Sequence, residues 1–177
     1  PVYKADELAK AVQQARQKRL RKFLSKTGRN CTQFLVQQTT GELVAMLRTE
    51  AVWLSALLEN RDKLVDGGHK YKDGGTCSVA RVSFAGHELV IKRYNLKSAL
   101  HALSRACRPS RAWHSWRAGH MLLHLGIATP APLALCEERI GPIRRRAFLV
   151  NAFCPGENLL EHLSPEVPPG EAETHSL

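Results

Sequence analysis

The amino-acid sequence predicts an α+β fold in which a helical segment with one hairpin precedes an antiparallel five-stranded sheet with one helix. Three observations support this prediction. Residues 1–68 show helical periodicity interrupted by one hairpin pattern. Residues 69–94 contain three runs rich in β-forming residues, separated by glycine turns. Residues 110–151 contain one helical pattern followed by two further strand-like runs.

Composition limits the classes of protein to which the chain can belong. With 177 residues, of which 44% are apolar, it can bury one ordinary core, or a small lobe plus a helical extension. The sequence shows no charged-then-apolar leader and no long apolar stretch, so we expect a cytoplasmic protein without a signal peptide or membrane span. The five cysteines are odd in number and widely spaced, which favours reduced thiols over a disulfide framework or zinc ribbon.

The chain is strongly basic, with a formal net charge of +10. Residues 8–41 contain eight Lys or Arg and no acid, and residues 92–136 contain neither Asp nor Glu. This charge favours a polyanionic partner, such as a nucleotide, a phosphorylated lipid, a nucleic acid or an anionic membrane face. Because no nucleic-acid-binding motif accompanies it, we do not expect nucleic acid as the partner.

The N-terminal extension, residues 1–68, is predicted to begin with a basic helix. Apolar residues recur on one helical face over residues 5–26, from Leu8 to Leu24, and Gly28 ends the helix. A hairpin is predicted next, because residues 31–38 and 43–48 are strand-like and flank a turn-forming segment.

A second helix is expected after the hairpin. Thr49 can cap it, its apolar positions continue to about Leu64, and Gly67 and Gly68 end it. The N-terminal extension is therefore predicted to be helical with one hairpin.

The segment from residue 69 to residue 163 is predicted to be rich in strands. Residues 70–73, 77–84 and 87–94 have the composition of a three-stranded antiparallel meander. Ser110 can cap a helix that runs to Leu125, and Gly126 provides its exit. Two more strands are expected at residues 133–138 and 146–151, whereas the Pro-rich residues 164–177 are expected to form a disordered tail or truncated linker.

The glycine turn between the first two strands of the meander has residues suited to binding phosphate. Glycine lets the backbone N–H groups of Gly74, Gly75 and Thr76 approach phosphate oxygens closely, and Lys92 supplies a positive charge near the end of the third strand. Alone, a Gly-Gly turn between strands is most often only a hairpin. The order of the elements that follow makes the phosphate interpretation specific.

Several motifs together resemble the lipopolysaccharide core kinases, the Kdo/heptose kinase group, which have a protein-kinase-like fold. The motifs are Asp73-Gly74-Gly75-Thr76, Val79-Ala80-Arg81-Val82, Val90-Ile91-Lys92-Arg93-Tyr94-Asn95, Arg108-Pro109-Ser110-Arg111-Ala112, Ser115-Trp116-Arg117 and Leu125-Gly126-Ile127-Ala128-Thr129-Pro130. The resemblance implies that residues 69–163 form a kinase-like small lobe and hinge, the lobe that binds nucleotide.

The resemblance also implies a set of nucleotide contacts. Lys92 would hold the α and β phosphates of ATP, and Gly74, Gly75 and Thr76 would form the covering loop. The remaining contacts are Val79 and Val90 on either side of adenine, Asn151 at the back of the pocket, and the backbone of Ala152 and Cys154 at the adenine edge.

The reaction implied is transfer of the ATP γ-phosphoryl group to a sugar hydroxyl of the lipopolysaccharide core or a lipid A precursor. ATP and Mg²⁺ are the implied cofactors, and the Mg²⁺ ligands are expected outside this chain because every Asp precedes Lys92. Seventeen residues follow Leu160, too few for a catalytic lobe, so we expect no phosphate transfer by this chain alone. The basic helix would lie on the acidic leaflet of the inner membrane.

One position departs from the pattern of the family. The helix after the lysine strand carries Ser115 where the resemblance implies a Glu that pairs with Lys92. No acid occurs between Lys92 and Glu137, so that pair cannot form from this helix. An alternative reading is therefore a non-catalytic pseudokinase, or a module that binds nucleotide or anionic lipid.

Three further patterns carry weaker signals. His120 and His124 have the spacing of a helical metal site, but the Glu of an HExxH motif is absent and paired helix histidines are usually surface residues. Trp113 and Trp116 are interpreted as packing residues rather than a base-stacking platform. The basic run at residues 144–146 could bind an anionic sugar or phosphate, or lie solvated at a turn.

Overall fold

A computed structural model describes residues 5–95, 109–141 and 143–156. Within them, four α-helices are α1 (Ala5–Lys26), α2 (Ala51–Glu59), α3 (Arg61–Gly67) and α4 (Arg111–His124). Seven strands are β1 (Phe34–Gln38), β2 (Glu42–Leu47), β3 (His69–Gly74), β4 (Cys77–Phe84), β5 (His87–Tyr94), β6 (Pro132–Ile140) and β7 (Ile143–Ala152). The predicted tail at residues 164–177 lies outside the described residues.

All seven strands form one antiparallel sheet in the order β1-β2-β6-β7-β5-β4-β3. This confirms the predicted α+β fold. After residue 68, three strands, a helix and two strands follow in sequence, and the helix covers one face of the sheet, as expected for a protein-kinase-like small lobe.

Seven strands were predicted, five in the small lobe and two in the N-terminal hairpin, but the structure joins all seven in one sheet. The N-terminal hairpin pairs with the same sheet through β2 and β6, where Val44 lies opposite Cys136. Without the hairpin β6 would be an edge strand with unpaired backbone groups, and the pairing satisfies them. The sheet therefore continues across the predicted boundary at residue 68.

The two faces of the sheet have different covers. Helices α2 and α3 pack over one face, where the buried residues include Leu54, Leu57, Ile91 and Phe148. Helix α4 and the C-terminal end of α1 pack over the other face, against β1, β2, β6 and β7, with Trp116 at the centre. On this second face, α4 reaches β5 at its C-terminal end, where Tyr94 packs against the Trp116 core.

The second helix was predicted as one continuous element, and this was wrong. Thr49 lies in a 3-10 turn (Arg48–Glu50), and no side chain caps α2. The helix is interrupted at Asn60, which has φ −103° and ψ 10° and whose Nδ2 donates to the Ala56 carbonyl at 3.0 Å. Such local side-chain bonding competes with helix continuation.

The bounds of three strands also differ from the prediction. Strand β1 begins at Phe34 rather than at residue 31, because the Cys31 N–H donates to the Phe34 carbonyl at 2.9 Å in a turn. Strands β6 and β7 are longer than predicted, since Gly141 at φ +59° lets the chain reverse tightly between Ile140 and Ile143.

The predicted ends of the longer helices are confirmed. Ser110 caps α4, because its hydroxyl accepts a hydrogen bond from the Trp113 N–H at 3.0 Å, and Gly126 at φ +75° follows the helix. Helix α1 has the predicted bounds, but residues 5–19 are exposed on all sides. Among the described helices, none is both long and apolar enough to cross a membrane.

Candidate functional site

The glycine turn connects β3 to β4 by two residues. Gly74 pairs with Cys77, and Gly75 and Thr76 form the tip. The Thr76 carbonyl accepts a hydrogen bond from the Asn95 N–H at 3.1 Å, which ties the turn to the end of β5. The turn is therefore held beside the strand that carries Lys92.

Asp73 stabilises the strand just before the turn. Its carboxylate accepts hydrogen bonds from Lys70 Nζ at 2.7 Å and from the Ser78 hydroxyl at 2.9 Å. Both hydrogen bonds lower the pKa of the Asp73 carboxyl, and the bond from Lys70 has the larger effect. Asp73 thus supports the turn through its own strands.

The predicted adenine and phosphate contacts share one face of the sheet. Alternate residues of β4 and β5, such as Ala80 and Ile91, are buried under α2 and α3, so Val79, Val90 and Lys92 point to the opposite face. Val79 lies directly opposite Lys92 in the β4–β5 pairing. We call the half-buried surface of Val79, Val90 and Lys92 the lysine face.

Lys92 lies beside the part of the sheet that α4 covers. Its cross-strand partner on β7 is Leu149, which packs in the Trp116 core. Among the described residues Lys92 forms no salt bridge. The Ser115 hydroxyl, at the position where the resemblance implies a Glu, lies 3.5 Å from the Tyr94 hydroxyl. Burial raises the pKa of Tyr94.

The predicted hinge follows β7 and provides few free backbone groups. The Ala152 N–H donates to the Ala131 carbonyl and the Phe153 N–H donates to the Glu88 carbonyl, each at 2.9 Å. The N–H of Cys154 makes no backbone hydrogen bond within the described residues, and Cys154 is exposed beyond the end of the sheet. Of these N–H groups, that of Cys154 alone remains for a ligand.

Asn151 lies at the inner end of the hinge, opposite Val90. Its Oδ1 is shielded from water and has no hydrogen-bond partner in the described structure. Buried polar atoms are normally satisfied, so an acceptor in this position suits a donor from a bound molecule.

Sequence reasoning missed a cluster at the outer end of the lysine face. The Arg81 guanidinium lies over the Phe153 ring at 4.0 Å from its centroid and bonds Glu88 at 2.8 Å. The strand period was the available signal, since it places Arg81 on the same face as Val79. This stacked pair marks the outer edge of the surface where a planar ring could lie.

The histidine pair on α4 has a packing role. His120 is buried against the rings of Phe34 and Trp116, and burial lowers its pKa to about 4, so the prediction of a surface residue was wrong for His120. His124 stacks on Phe23 at 4.2 Å. Within the described residues, no group of three metal-ligating side chains is found.

Trp116 is fully buried, which confirms that it packs in a core. Trp113 is half-buried beside Gly28, where an added Cβ would lie 3.0 Å from the indole ring. Both tryptophans therefore hold α4 in place.

Comparisons with known proteins add one structural likeness. Neither a protein-family model nor a curated protein matches the chain. A solved structure described as WaaP in complex with acyl carrier protein aligns with a TM-score of 0.45 and 21% sequence identity. The alignment covers 70% of this chain and 46% of that chain, so the chain spans less than half the length of WaaP.

Proposed function

We propose that this chain is the ATP-binding lobe of a kinase that phosphorylates a sugar of the lipopolysaccharide core or a lipid A precursor. The observation that carries the proposal is the lysine face, where Lys92 lies directly opposite Val79 on the strand whose end is tied to the glycine turn. Apolar side chains next to a cation and a row of backbone N–H groups suit a purine joined to phosphates. When bound, ATP would supply the phosphoryl group.

The residues present fit a nucleotide in two respects. Asn151 Oδ1 is a buried acceptor without a partner in the described part of the chain, suited to a ring amino group. The backbone N–H of Cys154, at the predicted hinge, makes no backbone hydrogen bond to any described residue. Val90 would contact the ring, and Lys92 would bind phosphate oxygens.

Gly75 provides a third argument. Its backbone does not have a positive φ, and a Cβ added there would meet nothing within 4 Å. Neither local conformation nor packing within the described residues therefore requires glycine. The reason that remains for a glycine at position 75 is close approach of a ligand to the backbone.

We expect Lys92→Ala to weaken Mg-ATP binding by about 10- to 100-fold, because a charge-assisted hydrogen bond contributes about 1.5–3 kcal/mol. Gly75→Ala should weaken binding several-fold and leave the melting temperature of the free protein unchanged. Isothermal titration calorimetry and thermal shift would measure both effects.

Lys72→Ala is the matched control, because Lys72 is exposed on β3 next to the turn. It should bind Mg-ATP like the parent chain. A parent chain whose melting temperature does not respond to millimolar Mg-ATP would refute the nucleotide site.

A non-catalytic nucleotide-binding module is the second candidate. The contact between Ser115 and Tyr94 favours it, since α4 offers no carboxylate to Lys92. Ser115→Glu tests whether an acid there restores an ion pair. Tighter Mg-ATP binding would favour a kinase-like arrangement, whereas unchanged or weaker binding would favour the non-catalytic module.

We further propose that α1 lies on an anionic membrane surface, which would place the lobe beside a lipid-linked acceptor. Leu8 and Val12 are 57% and 43% exposed on one side of the helix. The seven basic residues of α1 are Lys10, Arg16, Lys18, Arg19, Arg21, Lys22 and Lys26, against the two acids Asp6 and Glu7. An exposed apolar stripe within a basic helix suits the boundary between anionic headgroups and acyl chains.

The double substitution Leu8→Gln and Val12→Gln should weaken binding to phosphatidylglycerol vesicles about tenfold, because two apolar side chains are withdrawn from the bilayer. Vesicle co-sedimentation would measure this. Val52→Gln is the matched control, since Val52 is 90% exposed on α2. Equal binding of the double variant and the control would contradict the membrane role of α1.

A further inference from the structure

The tip of the β6–β7 hairpin brings several arginines together. Arg139 on β6 is the direct cross-strand partner of Arg144 on β7. The Arg139 backbone N–H donates to the Gly41 carbonyl at 2.7 Å, which holds this tip against the β1–β2 turn. Like charges in directly opposed positions of a sheet repel each other, so this pair requires a counter-charge.

Arg146, two residues after Arg144 on β7, is paired with carboxylates of the protein. It bonds Glu138 and Asp62, each at 2.9 Å, in a network that ties α3 to the sheet. Arg61 of α3 joins this network through Glu138 at 3.2 Å and Glu42 at 3.5 Å. The carboxylates of this network are therefore already paired with Arg61 or Arg146.

Arg139 and Arg144 are neutralised less completely. They share one oxygen of the buried Glu137, at 2.9 Å and 3.7 Å, while the Ser110 hydroxyl bonds the other oxygen. Arg145 is exposed and forms no salt bridge in the part of the chain that the structure describes. Arg139 and Arg144 thus share a single carboxylate, and the exposed Arg145 adds a third positive charge on the same hairpin.

Two of the guanidinium donors at this position have no acceptor among the residues that the structure describes. Arg139 Nε and Arg144 Nη1 are both shielded from water and without a hydrogen-bond partner in the described structure. An unpaired buried donor on a charged group is unfavourable, and an anion with several oxygens would satisfy both donors at once.

A groove of about 600 Å³ reaches Arg139, whose cross-strand partner Arg144 lies outside its lining, and contains further donors. Arg139 and Arg145 line it together with the hydroxyl-bearing Thr39 and Thr40, and its other charged lining residues, Arg61, Arg146, Glu42 and Glu138, are paired with one another. Guanidinium forks and hydroxyl groups are ordinary phosphate ligands.

We propose that Arg139 and Arg144, with Arg145 at the rim of the groove, bind a phosphate monoester. The site is distinct from the lysine face: Leu149, the partner of Lys92, lies five residues beyond Arg144 on β7, about 16 Å along the strand. A dianion with three terminal oxygens satisfies two guanidinium groups better than a monoanionic carboxylate does.

Titration of the chain with glycerol 3-phosphate, followed by calorimetry at about 0.15 M salt, tests the proposal. Arg139→Gln and Arg144→Gln should each weaken binding about tenfold, as expected for loss of a charge-assisted hydrogen bond. Arg145→Gln should weaken binding about threefold. Because Arg145 is exposed, that variant reports on the site even if the other two fold poorly.

Arg117→Gln provides the matched control, because Arg117 is exposed on α4 and the charge change is the same. It should bind like the parent chain. Equal weakening by Arg117→Gln would show a general charge effect and overturn the site. Loss of binding in Lys92→Ala with no change in the arginine variants would assign the phosphate to the lysine face and would also overturn the proposal.

A second experiment distinguishes a lipid headgroup from a soluble ligand as the source of the phosphate. Vesicles containing phosphatidic acid are compared with vesicles of equal charge containing phosphatidylserine. Preference for phosphatidic acid that disappears in Arg144→Gln supports a lipid headgroup. Arginine-dependent binding of glycerol 3-phosphate without that preference supports a soluble phosphorylated ligand, and absence of arginine dependence in both arms refutes the site.

Discussion

Trp116→Ala is expected to lower the free energy of unfolding by about 4 kcal/mol, the range for removing a buried aromatic side chain. Trp116 is fully buried and packs edge-on against Phe34 and His120. Its Nε1 donates to the Thr27 carbonyl at 3.0 Å, so the substitution also leaves that carbonyl unpaired. Urea unfolding followed by circular dichroism would measure the loss.

Trp113→Ala serves as the comparison, because Trp113 is on the same helix but is half-buried. We expect a loss of about 1–2 kcal/mol there, in proportion to the smaller area covered. A loss of less than about 1 kcal/mol for Trp116→Ala would contradict the packing of α4 between α1 and the sheet.

Glu137→Ala is expected to destabilise the fold by about 4 kcal/mol, within the range for breaking a buried ion pair. The Glu137 side chain is 3% exposed and contacts Arg139, Arg144 and Ser110. Its removal leaves two partly buried guanidinium groups without a carboxylate and the capping hydroxyl without its acceptor. Chemical unfolding at neutral pH would measure the effect.

Two further variants serve as comparisons for Glu137→Ala. Glu137→Gln keeps an acceptor for Ser110 and should lose less stability; if the arginine pair binds phosphate, it should also bind glycerol 3-phosphate more tightly. Glu88→Gln breaks the exposed ion pair with Arg81 and should cost less than about 1 kcal/mol. Similar losses for Glu88→Gln and Glu137→Ala would show that burial of Glu137 contributes nothing.

Local patterns were sufficient for most individual elements. The bounds of α1, the Ser110 cap and the three strands after residue 68 followed from periodicity and turn residues, because these depend on neighbours within a few positions. The placement of Val79, Val90 and Lys92 on one face came instead from the observed pairing of β4 with β5. The interruption at Asn60 was missed, since apolar residues continue across it and hide the local side-chain bond.

Long-range placement could not be predicted in the same way. Pairing of β2 with β6 joins residues about ninety positions apart, and the sequence contains no local signal for it. His120 gave the same helical signal as a surface histidine, and its burial depends on Phe34 reaching it from β1. Environment, rather than residue type, determines whether such a side chain is charged.

The sequence by itself determined the order of strands and helices, the glycine turn, the lysine that follows it and the absence of an acid on α4. The tertiary structure decided which of these residues lie together. It joined the N-terminal hairpin to the sheet, placed Ser115 beside Tyr94, and gathered Arg139 and Arg144 around Glu137. The reason is physical: local propensity acts over a few residues, whereas burial and charge pairing depend on segments that meet only after folding.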